Sequence, residues 1–321
     1  MKRVRVWICV LCALMLLAGC AGKGSTGWDE EQYREPAEEL KEEPEAEATF
    51  RRSTVYYLSD EGFIVPVTKL IPWEEGIASA CLSYMVSTPE NLSAARELGL
   101  STVIPEGTEL SLSIRDGNAL LDMKGLAPLA SAEAELAMIE AVVNTLTEFS
   151  TISTVTVTRD GHGGTLENGT ELPVRRSEYA LNPEDPELAA STGGRQVTLY
   201  FPNLSGAVTV PVSRQMSAEP NIYSTVSALI EGSKSDKLLR CFPENTLLLG
   251  AAVENGVVTV NLSGDFARVA DTKGLYSLAY RTLWLTLKEQ LDFKALRMQV
   301  NGEDFAPETT EGSLDVNSFG G

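Results

Sequence analysis

Hydrophobic and polar residues alternate in two neighbouring runs in the second half of the chain, Gln196–Pro202 and Val208–Arg214. Both runs are rich in β-branched and aromatic residues, and the turn sequence NLSGA separates them, so they predict an antiparallel hairpin. The next apolar positions recur every three or four residues, which is typical of a helix with one buried face. Asn221 is a suitable N-cap for this helix and Gly232 a suitable end.

The pattern then returns to strands. Leu247–Glu254 and Val257–Leu262 flank Asn255-Gly256, a dipeptide that readily adopts the two positive φ angles of a type I′ turn. A long amphipathic stretch predicts a helix over Thr272–Gln290, and Ala295–Val300 predicts a final strand. The predicted order of elements is therefore ββαββαβ.

The first half of the chain shows the same order of patterns. Its strands and helices are followed by similar turn residues, which supports a single type of module. The predicted elements are a hairpin of Thr54–Ser59 and Phe63–Lys69, a helix over Glu75–Val86, a strand that buries Leu110, Leu112 and Ile114, a turn at Asp116-Gly117, a helix from the N-cap Ser131 to Phe149, and a strand over Thr154–Thr158.

The sequence itself also repeats. VPVTK at Val65 returns as VPVSR at Val210, and IPEGTEL at Ile104 returns as FPENTLL at Phe242, with offsets of 145 and 138 residues. A duplicated domain explains these repeats. We therefore predict an α+β fold with two tandem modules, each a small mixed or antiparallel sheet with two helices on one face.

The predicted boundaries follow from the pattern. They are 53–161 for the first module, 162–195 for an extension or linker, 196–303 for the second module and 304–321 for a C-terminal tail. The segment 162–195 is too long for a plain connection, so it is either an ordered appendage of the first module or a flexible linker.

The N-terminus has the features of a lipoprotein signal. Basic Lys2, Arg3 and Arg5 precede an apolar run, and small residues lead to Cys20 in the sequence LAGC. This sequence resembles the lipobox of bacterial lipoproteins, which implies removal of residues 1–19 and lipid attachment to Cys20 on the outer face of the cell membrane. The apolar run is too short for a transmembrane helix.

An acidic segment follows the signal. Residues 29–48 contain ten acidic and two basic residues with almost no large apolar side chain. Such a composition cannot form a core, so residues 20–52 are predicted to be a disordered, solvated tether or an acidic docking segment for a basic partner. The formal net charge of the whole chain is −19, which argues against binding of nucleic acid or anionic lipid through a basic face.

Two cysteines lie in the predicted modules. Cys81 falls in a predicted helix and Cys241 precedes the FPENT turn, so they are not equivalent and cannot form a repeated metal or redox site. They are either two small buried hydrophobic residues or the partners of an interdomain disulfide.

Candidate catalytic residues are few. His162 is the single histidine and lies in the glycine-rich sequence RDGHGG, which gives little support to a catalytic triad or a zinc site. Carboxylates such as Asp122 with Glu133, or Asp265 with Glu254, are expected on a solvated acidic surface, although a glycosidase also uses such a pair. The sequence contains no nucleotide-binding motif. We therefore predict no catalytic residue, no cofactor and no metal site.

Several segments resemble the GerMN ("germane") domain of lipoproteins in spore formation and germination. They are LYFPN, VPVSR and FPENTLLLGAAVENGVVTVNLSGDF in the second module, and VVNTLTEF followed by TVTVTRDG in the first. A lipobox followed by two such domains is similar to the tandem GerMN lipoproteins of this family, and TLENGTELPVRRSEYALNPED resembles the extension after their first domain. The resemblance implies a fold similar to the ring-building modules of secretion systems. It also implies a non-enzymatic protein that supports a complex between two membranes during sporulation.

Three functions of different classes fit these features. The favoured one is a lipid-anchored scaffold whose partners are envelope or sporulation-complex proteins, or further copies of itself. The second is a lipoprotein that binds a cell-wall glycan or peptide along exposed aromatic residues such as Trp73, Tyr200 and Phe201, although Trp73 and Trp284 are more simply explained as core or interdomain anchors. The third is an envelope-polymer hydrolase, which needs two carboxylates facing each other in a cleft.

Overall fold

The first module begins with the hairpin that the alternating residues predict. In the computed structural model, β1 (Phe50–Ser59) pairs antiparallel with β2 (Ile64–Pro72). β1 begins before the predicted start, within the segment assigned to the tether. The structure describes residues 50–72, 76–176, 179–185, 195–308 and 316–318, all within the second of two units, Ala48–Gly321. Cys20, residues 20–49 of the predicted tether, and Trp73 lie outside the described residues.

Two short helices follow where one was predicted. α1 (Ile77–Ser83) ends before the predicted Val86, and α2 (Pro89–Glu97) was not predicted. α2 begins at Thr88, whose Oγ1 accepts a hydrogen bond from the Asn91 amide at 3.2 Å. Only Ala95 of this helix is buried. The helix therefore needs no repeating apolar positions, and its sequence gives no periodic signal.

The next short strand joins the hairpin, and the two strands after it begin a second sheet. β3 (Leu100–Ser101) pairs with β1, and the chain then enters β4 (Glu109–Arg115) and β5 (Asn118–Lys124). β4 and β5 are antiparallel around the predicted Asp116-Gly117 turn, where the φ angles are 50° and 76°. These positive angles explain why aspartate and glycine occupy the turn.

A crossover helix joins this sheet to the hairpin. α3 (Ala132–Thr147) starts at Ser131 as predicted, because the Ser131 Oγ accepts a hydrogen bond from the Ala134 amide at 3.2 Å. β6 (Thr154–Arg159) then lies parallel to β5. α3 contacts both β1 and β6, so it packs between the hairpin and the second sheet.

Residues 163–176 fold onto the first module. β7 (Gly164–Thr165) and β8 (Glu171–Leu172) form a small hairpin, and β9 (Val174–Arg176) pairs antiparallel with β6. Residues 163–176 of the predicted extension or linker therefore belong to the fold of the first module.

The second module starts with the same hairpin and a single helix. β10 (Gln196–Pro202) pairs antiparallel with β11 (Thr209–Gln215). α4 (Ile222–Glu231) begins at the predicted Asn221, whose Oδ1 accepts hydrogen bonds from the amides of Tyr223 and Ser224. The helix ends at the predicted glycine.

Its second sheet also repeats that of the first module. β12 (Leu248–Glu254) and β13 (Val257–Leu262) are antiparallel around Asn255-Gly256. An unpredicted 3₁₀ helix over Gly264–Asp271 precedes the crossover helix α5 (Leu275–Lys288). The sheet is completed by β14 (Ala295–Val300), which is parallel to β13, and by the short β15 (Glu303–Asp304).

The core of each module lies between its crossover helix and its strands. Fully buried side chains include Val55, Leu121, Ile139 and Val155 in the first module, and Leu199, Val260, Leu283 and Met298 in the second. The α+β prediction and the order of the predicted elements are confirmed. Each hairpin forms a sheet separate from the β4–β6 or β12–β14 strands.

Candidate functional site

The most distinctive polar site of the molecule is the seam between the two modules, where β2 contacts β11. Two segments cross this seam. We call residues 179–185 the first strap and residues 316–318 the second strap, and each follows the sheet of its own module. Their hydrogen bonds decide how the modules are held.

The first strap is anchored by Asn182. Its Nδ2 donates to the carbonyl oxygens of Ile64, at 2.8 Å, and Pro211, at 2.7 Å, while its Oδ1 accepts from the Ile64 amide at 2.8 Å. The preceding Leu181 accepts a backbone hydrogen bond from Ser213 at 2.9 Å. A segment that belongs to the first module therefore binds the hairpin of both modules.

The second strap uses Asn317 in the same way. Its Nδ2 donates to the carbonyl oxygens of Pro66 and Thr209, each at 2.8 Å, and its Oδ1 accepts from the Thr209 amide at 2.8 Å. The preceding Val316 accepts a backbone hydrogen bond from Thr68 at 2.9 Å. The C-terminal strap therefore binds both hairpins as well.

These contacts are reciprocal. Ile64 and Thr209 are equivalent residues of the repeat, as are Pro66 and Pro211, so each asparagine bonds to the backbone N–H and C=O of one residue in its own module and to one carbonyl oxygen of the other module. The Thr209 hydroxyl adds a further bond to Asn317 Oδ1 at 3.1 Å. Reciprocal contacts of this kind are the property of a two-fold interface. Both asparagines have positive φ angles, 44° for Asn182 and 36° for the second strap, which asparagine tolerates better than most residues.

A pair of tyrosine–glutamate hydrogen bonds also repeats. The hydroxyl of Tyr56 donates to Glu148 Oε1 at 2.7 Å, and the hydroxyl of Tyr200 donates to Glu289 Oε1 at 2.7 Å. In each module the tyrosine amide also donates to a threonine of the crossover helix, Thr145 or Thr286. These bonds hold the hairpin against the C-terminal end of the crossover helix.

The two pairs influence each other across the seam. Burial raises the pKa of Tyr56 well above its ordinary value, and Glu148, Tyr200 and Glu289 raise it further. Burial also raises the pKa of the Glu148 carboxyl, the hydrogen bond from Tyr56 lowers it, and the charge of Glu289 raises it. The tyrosines therefore stay protonated and act as donors to the carboxylates.

An ion pair distinguishes the second module. Arg214 binds Glu184 of the first strap through two hydrogen bonds of 2.6 and 2.9 Å, and both side chains are almost fully buried, at 7% and 3% exposure. The guanidinium also donates to the carbonyl oxygens of Ala228 and Gly232. Burial raises the pKa of Glu184, but hydrogen bonds and charge from Arg214 and Lys234 outweigh burial, so the pKa is lowered. At the equivalent position of the first module, Lys69 lies 4.5 Å from the ring of Tyr84.

A cavity of about 390 Å³ opens beside the seam, between α3, the first strap and the second hairpin. Tyr56 and Glu148, which line it, bond to each other, and Asn144 bonds to the backbone of Tyr179 at 3.0 and 3.4 Å. These polar groups stabilise the seam. The described residues contain no cluster of three or more histidine, cysteine or acidic side chains that could hold a metal ion.

The two cysteines are buried and free. Burial raises the pKa of Cys81 to about 11 and that of Cys241 to about 12. The interdomain disulfide, one of the two predicted alternatives, is therefore wrong, and both residues are small buried hydrophobic side chains.

The other sequence candidates do not converge. His162 is exposed, and its Nδ1 contacts the backbone oxygen of Asp160. Asp122 accepts hydrogen bonds from Thr158 Oγ1 and the Gly161 amide, each at 2.7 Å, which fixes a turn, whereas Glu133 is exposed. Asp265 and Glu254 are also exposed.

Two of the three aromatic residues named for a glycan site are in the core, and the third, Trp73, lies outside the described residues. Tyr200 and Phe201 are buried, and Trp284 stacks on Tyr280 and packs edge-on against Phe293, with ring centroids 6.3 and 4.8 Å apart. The interpretation of Trp284 as a core anchor is supported. No helix among the described residues is long and apolar enough to cross a membrane.

Known families provide a match for both modules. Residues 54–165 and 198–305 match the Germane family, which is described as sporulation and spore germination. The chain belongs to the Germane family. This confirms the resemblance seen in the sequence.

One relative and one solved structure are also similar to this chain. The "Spore germination protein GerM" of Bacillus subtilis (strain 168) is 28% identical over 276 residues, which cover 81% of this chain and 74% of that protein. The solved tandem GerMN domains of the sporulation protein GerM from Bacillus subtilis match with a TM-score of 0.61 and 23% identity, over 85% of this chain and 100% of that one. The tandem fold is therefore shared with a solved structure.

The sequence reasoning missed the straps. Asn182 and Asn317 both follow the ranges that match the Germane family, which end at residues 165 and 305. The only local signal is a pair of short similar sequences, Leu-Asn-Pro and Val-Asn-Ser, each placed after its module. Their partners are far away in sequence, so periodicity could not identify them.

Proposed function

We propose that this chain is a lipid-anchored, extracytoplasmic, non-enzymatic scaffold that supports an envelope or intermembrane protein complex in sporulation or germination. The description of the family and the name of the Bacillus subtilis relative support the process. The observation that carries the scaffold role is the seam, where two reciprocal straps hold the two modules in one arrangement. Fixed spacing between two similar surfaces is what a scaffold requires.

Duplication supports this role physically. Two modules of the same fold offer two similar outer surfaces, so each can bind a different partner or another copy of the chain. Weak binding at both surfaces becomes strong when one protein holds both sites, because the second event takes place at a high effective concentration. The polar groups of the seam are meanwhile engaged in hydrogen bonds, and the proposal assigns no reaction to them.

The membrane anchor is part of the proposal and rests on the LAGC sequence. Two acyl chains contribute about 0.8 kcal/mol per buried methylene, which anchors a protein durably where one chain is marginal. We expect Cys20→Ala to give a chain that is unprocessed or shed and carries no fatty acid. Metabolic labelling with a fatty acid tests this, and label on the Cys20→Ala chain would contradict the anchor.

The scaffold role is tested in cells of the source organism. We expect deletion of the gene to impair spore formation or germination, and crosslinking of the full chain to recover envelope proteins. A matched strain with Ala207→Trp, an exposed position on the β10–β11 turn, should behave as wild type. Normal spore formation and germination in the deletion strain would overturn the proposed process.

A further inference from the structure

The second module lacks a segment that the first module has. In the first module, residues 164–173 lie between Gly163 and Val174. In the second, Asp304 is followed directly by Phe305. The turns before this segment are equivalent in the two modules. His162 pairs with Arg159, the last residue of β6, and Glu303 pairs with Val300, the last residue of β14.

The backbone hydrogen bonds after this segment are also equivalent. Val174 pairs with Val157 of β6, and the Phe305 amide donates to the Met298 oxygen of β14 at 2.9 Å. Val157 and Met298 lie 141 residues apart, which is the offset of their strands. Residues 164–173 are therefore an insertion in the first module.

The insertion covers the first module with aliphatic side chains. Its hairpin buries Leu166 and Leu172, at 3% and 8% exposure, and β8 contacts β6. The turn is held by Glu135 of α3, whose carboxylate accepts hydrogen bonds from the amides of Asn168, at 2.8 Å, and Thr170, at 3.1 Å. The space between the start of α3 and β6 is thereby filled.

The corresponding space of the second module holds a cavity of about 630 Å³. Its walls are Tyr276 and Tyr280 of α5 together with Phe305, and the buried Leu296 and Met298 of β14 also line it. Tyr276 lies at the position equivalent to Glu135 of the first module.

The tyrosines present apolar faces to this cavity. The Tyr276 hydroxyl donates to the Phe305 oxygen at 3.0 Å, and the Tyr280 hydroxyl donates to the Leu296 oxygen at 3.3 Å. Because both hydroxyls are engaged in these bonds, the walls favour a hydrocarbon side chain over a polar one.

The rim of the cavity is acidic. Arg297 and Asp304 lie 4.0 Å apart as an ion pair, and Glu308 also lines the opening. Within the described residues no basic side chain forms an ion pair with Glu308. A basic group next to the apolar one would therefore complement the rim.

We propose that this cavity binds a turn of a separate protein that carries a leucine-like side chain next to a basic residue. The first module shows how the equivalent space is filled, by a hairpin with two buried leucines. The proposal rests on the proposed function, since it identifies one surface through which the scaffold holds a partner.

A closed peptide of residues 163–173 of this chain with the change Glu167→Lys, cyclised through its ends, is the probe. It carries the leucines that fill the first module and a basic residue next to Leu166. We expect saturable binding to the full chain in detergent, seen as shifts of the Tyr276 and Tyr280 ring resonances. Replacement of Leu166 by Asp in the peptide should weaken binding at least about tenfold, since burial of one such side chain accounts for about that factor. Equal binding of both peptides, or of neither, would overturn the proposal.

Ala306→Trp is the matching change in the protein. Ala306 is exposed and lines the cavity, so an indole there should fill it and abolish peptide binding without lowering the melting temperature. Ala207→Trp places the same group on an exposed turn that does not line the cavity and should bind the peptide as wild type. Undiminished binding by the Ala306→Trp protein would contradict the site.

Two further outcomes separate this inference from the proposed function. If peptide binding appears only after residues 309–315 are replaced by glycine and serine, the chain itself occupies the cavity and the inference fails. In cells, Ala306→Trp should reduce spore yield as deletion does, whereas Ala207→Trp should not. If the Ala306→Trp strain gave a wild-type spore yield while the deletion strain gave a poor one, the inference would be wrong and the proposed function would be unaffected.

Discussion

The two modules share their hairpins, crossover helices and turns, but they complete their second sheets differently. In the first module, β9 pairs with β6, β8 contacts β6, and the β7–β8 turn is hydrogen-bonded to Glu135 of α3. In the second module, the only counterpart of the β9–β6 pairing among the described residues is the hydrogen bond from the Phe305 amide to Met298 of β14, and a cavity remains beside β14. The comparison teaches that the strands, the crossover helices and the two asparagine contacts of the seam are alike in both modules, because packing or reciprocal bonds fix them. The segments after each sheet diverged, and they determine which surface is left for a partner.

Among equivalent positions of the two modules, alanine substitution should change the free energy of unfolding most unequally at Arg214 and Lys69. Arg214→Ala leaves Glu184 buried without its partner, which should cost about 3 to 5 kcal/mol of unfolding free energy. Lys69→Ala removes a contact with the Tyr84 ring and should cost about 1 kcal/mol. Chemical denaturation of the two variants measures both losses, and equal losses would remove the asymmetry that we assign to the ion pair.

This difference should depend on pH. Because the pKa of Glu184 is lowered in the folded chain, its stabilising contribution is present above the unfolded value, about 4.3, and is lost as the pH falls through the folded value. The gap between wild type and Arg214→Ala should therefore shrink in acid. A gap that stays constant down to acid unfolding would contradict the role of the carboxylate.

The straps should show equal rather than different effects. Asn182→Ala and Asn317→Ala each leave backbone groups at the seam without partners and place alanine at a positive φ angle, so each should cost about 2 to 3 kcal/mol. The corresponding glycine variants tolerate the angle and should lose less. Thermal or chemical unfolding measures these changes, and a loss confined to one strap would break the two-fold account.

Removal of a tyrosine hydroxyl from the tyrosine–glutamate pairs should lower the free energy of unfolding by less, and this loss should depend on pH. Tyr56→Phe and Tyr200→Phe each remove one hydrogen bond to a carboxylate, at a cost of about 1 to 2 kcal/mol. The folded pKa of Glu148 is raised, so its ionisation lowers stability as the pH rises from the unfolded to the folded value, and removal of the Tyr56 donor raises that pKa further. Tyr56→Phe should thus be more destabilising at pH 8 than at pH 5. The reverse order would refute this assignment.

The two tight turns should give the smallest effects. Gly256→Ala strains a positive φ angle of 77° and should cost about 1 kcal/mol, since the added Cβ meets only the Lys294 side chain, at ordinary contact distances of 3.8 and 3.9 Å. Gly117→Ala should cost more, because its Cβ would lie 2.8 Å from Ser153 Oγ, which donates to the Gly117 oxygen. Unfolding of the two variants under the same conditions decides the order.

Much of the fold could be predicted because its signals are local. The hairpins alternate, Asp116-Gly117 and Asn255-Gly256 mark the turns, and Ser131 and Asn221 mark helix starts. α2 and the 3₁₀ helix were missed because each buries only one or two residues, so apolar periodicity is absent.

The seam could not be predicted because its bonds are long-range. Asn182 and Ile64 are 118 residues apart, and the second strap reaches Pro66 across 251 residues. No window along the sequence contains both partners. Tyr56 was recognised as a strand residue, but its bond to Glu148 depends on how the hairpin packs against α3.

The central claim is that the C-terminal strap holds both modules, and amide hydrogen exchange tests it most directly. Thr68 of the first module and Thr209 of the second donate to Val316 and Asn317, whereas Ile64 donates to Asn182 of the other strap. In a chain that stops after Glu308, exchange at Thr68 and Thr209 should accelerate at least about tenfold while Ile64 stays protected. Unchanged protection at both threonines would contradict the account.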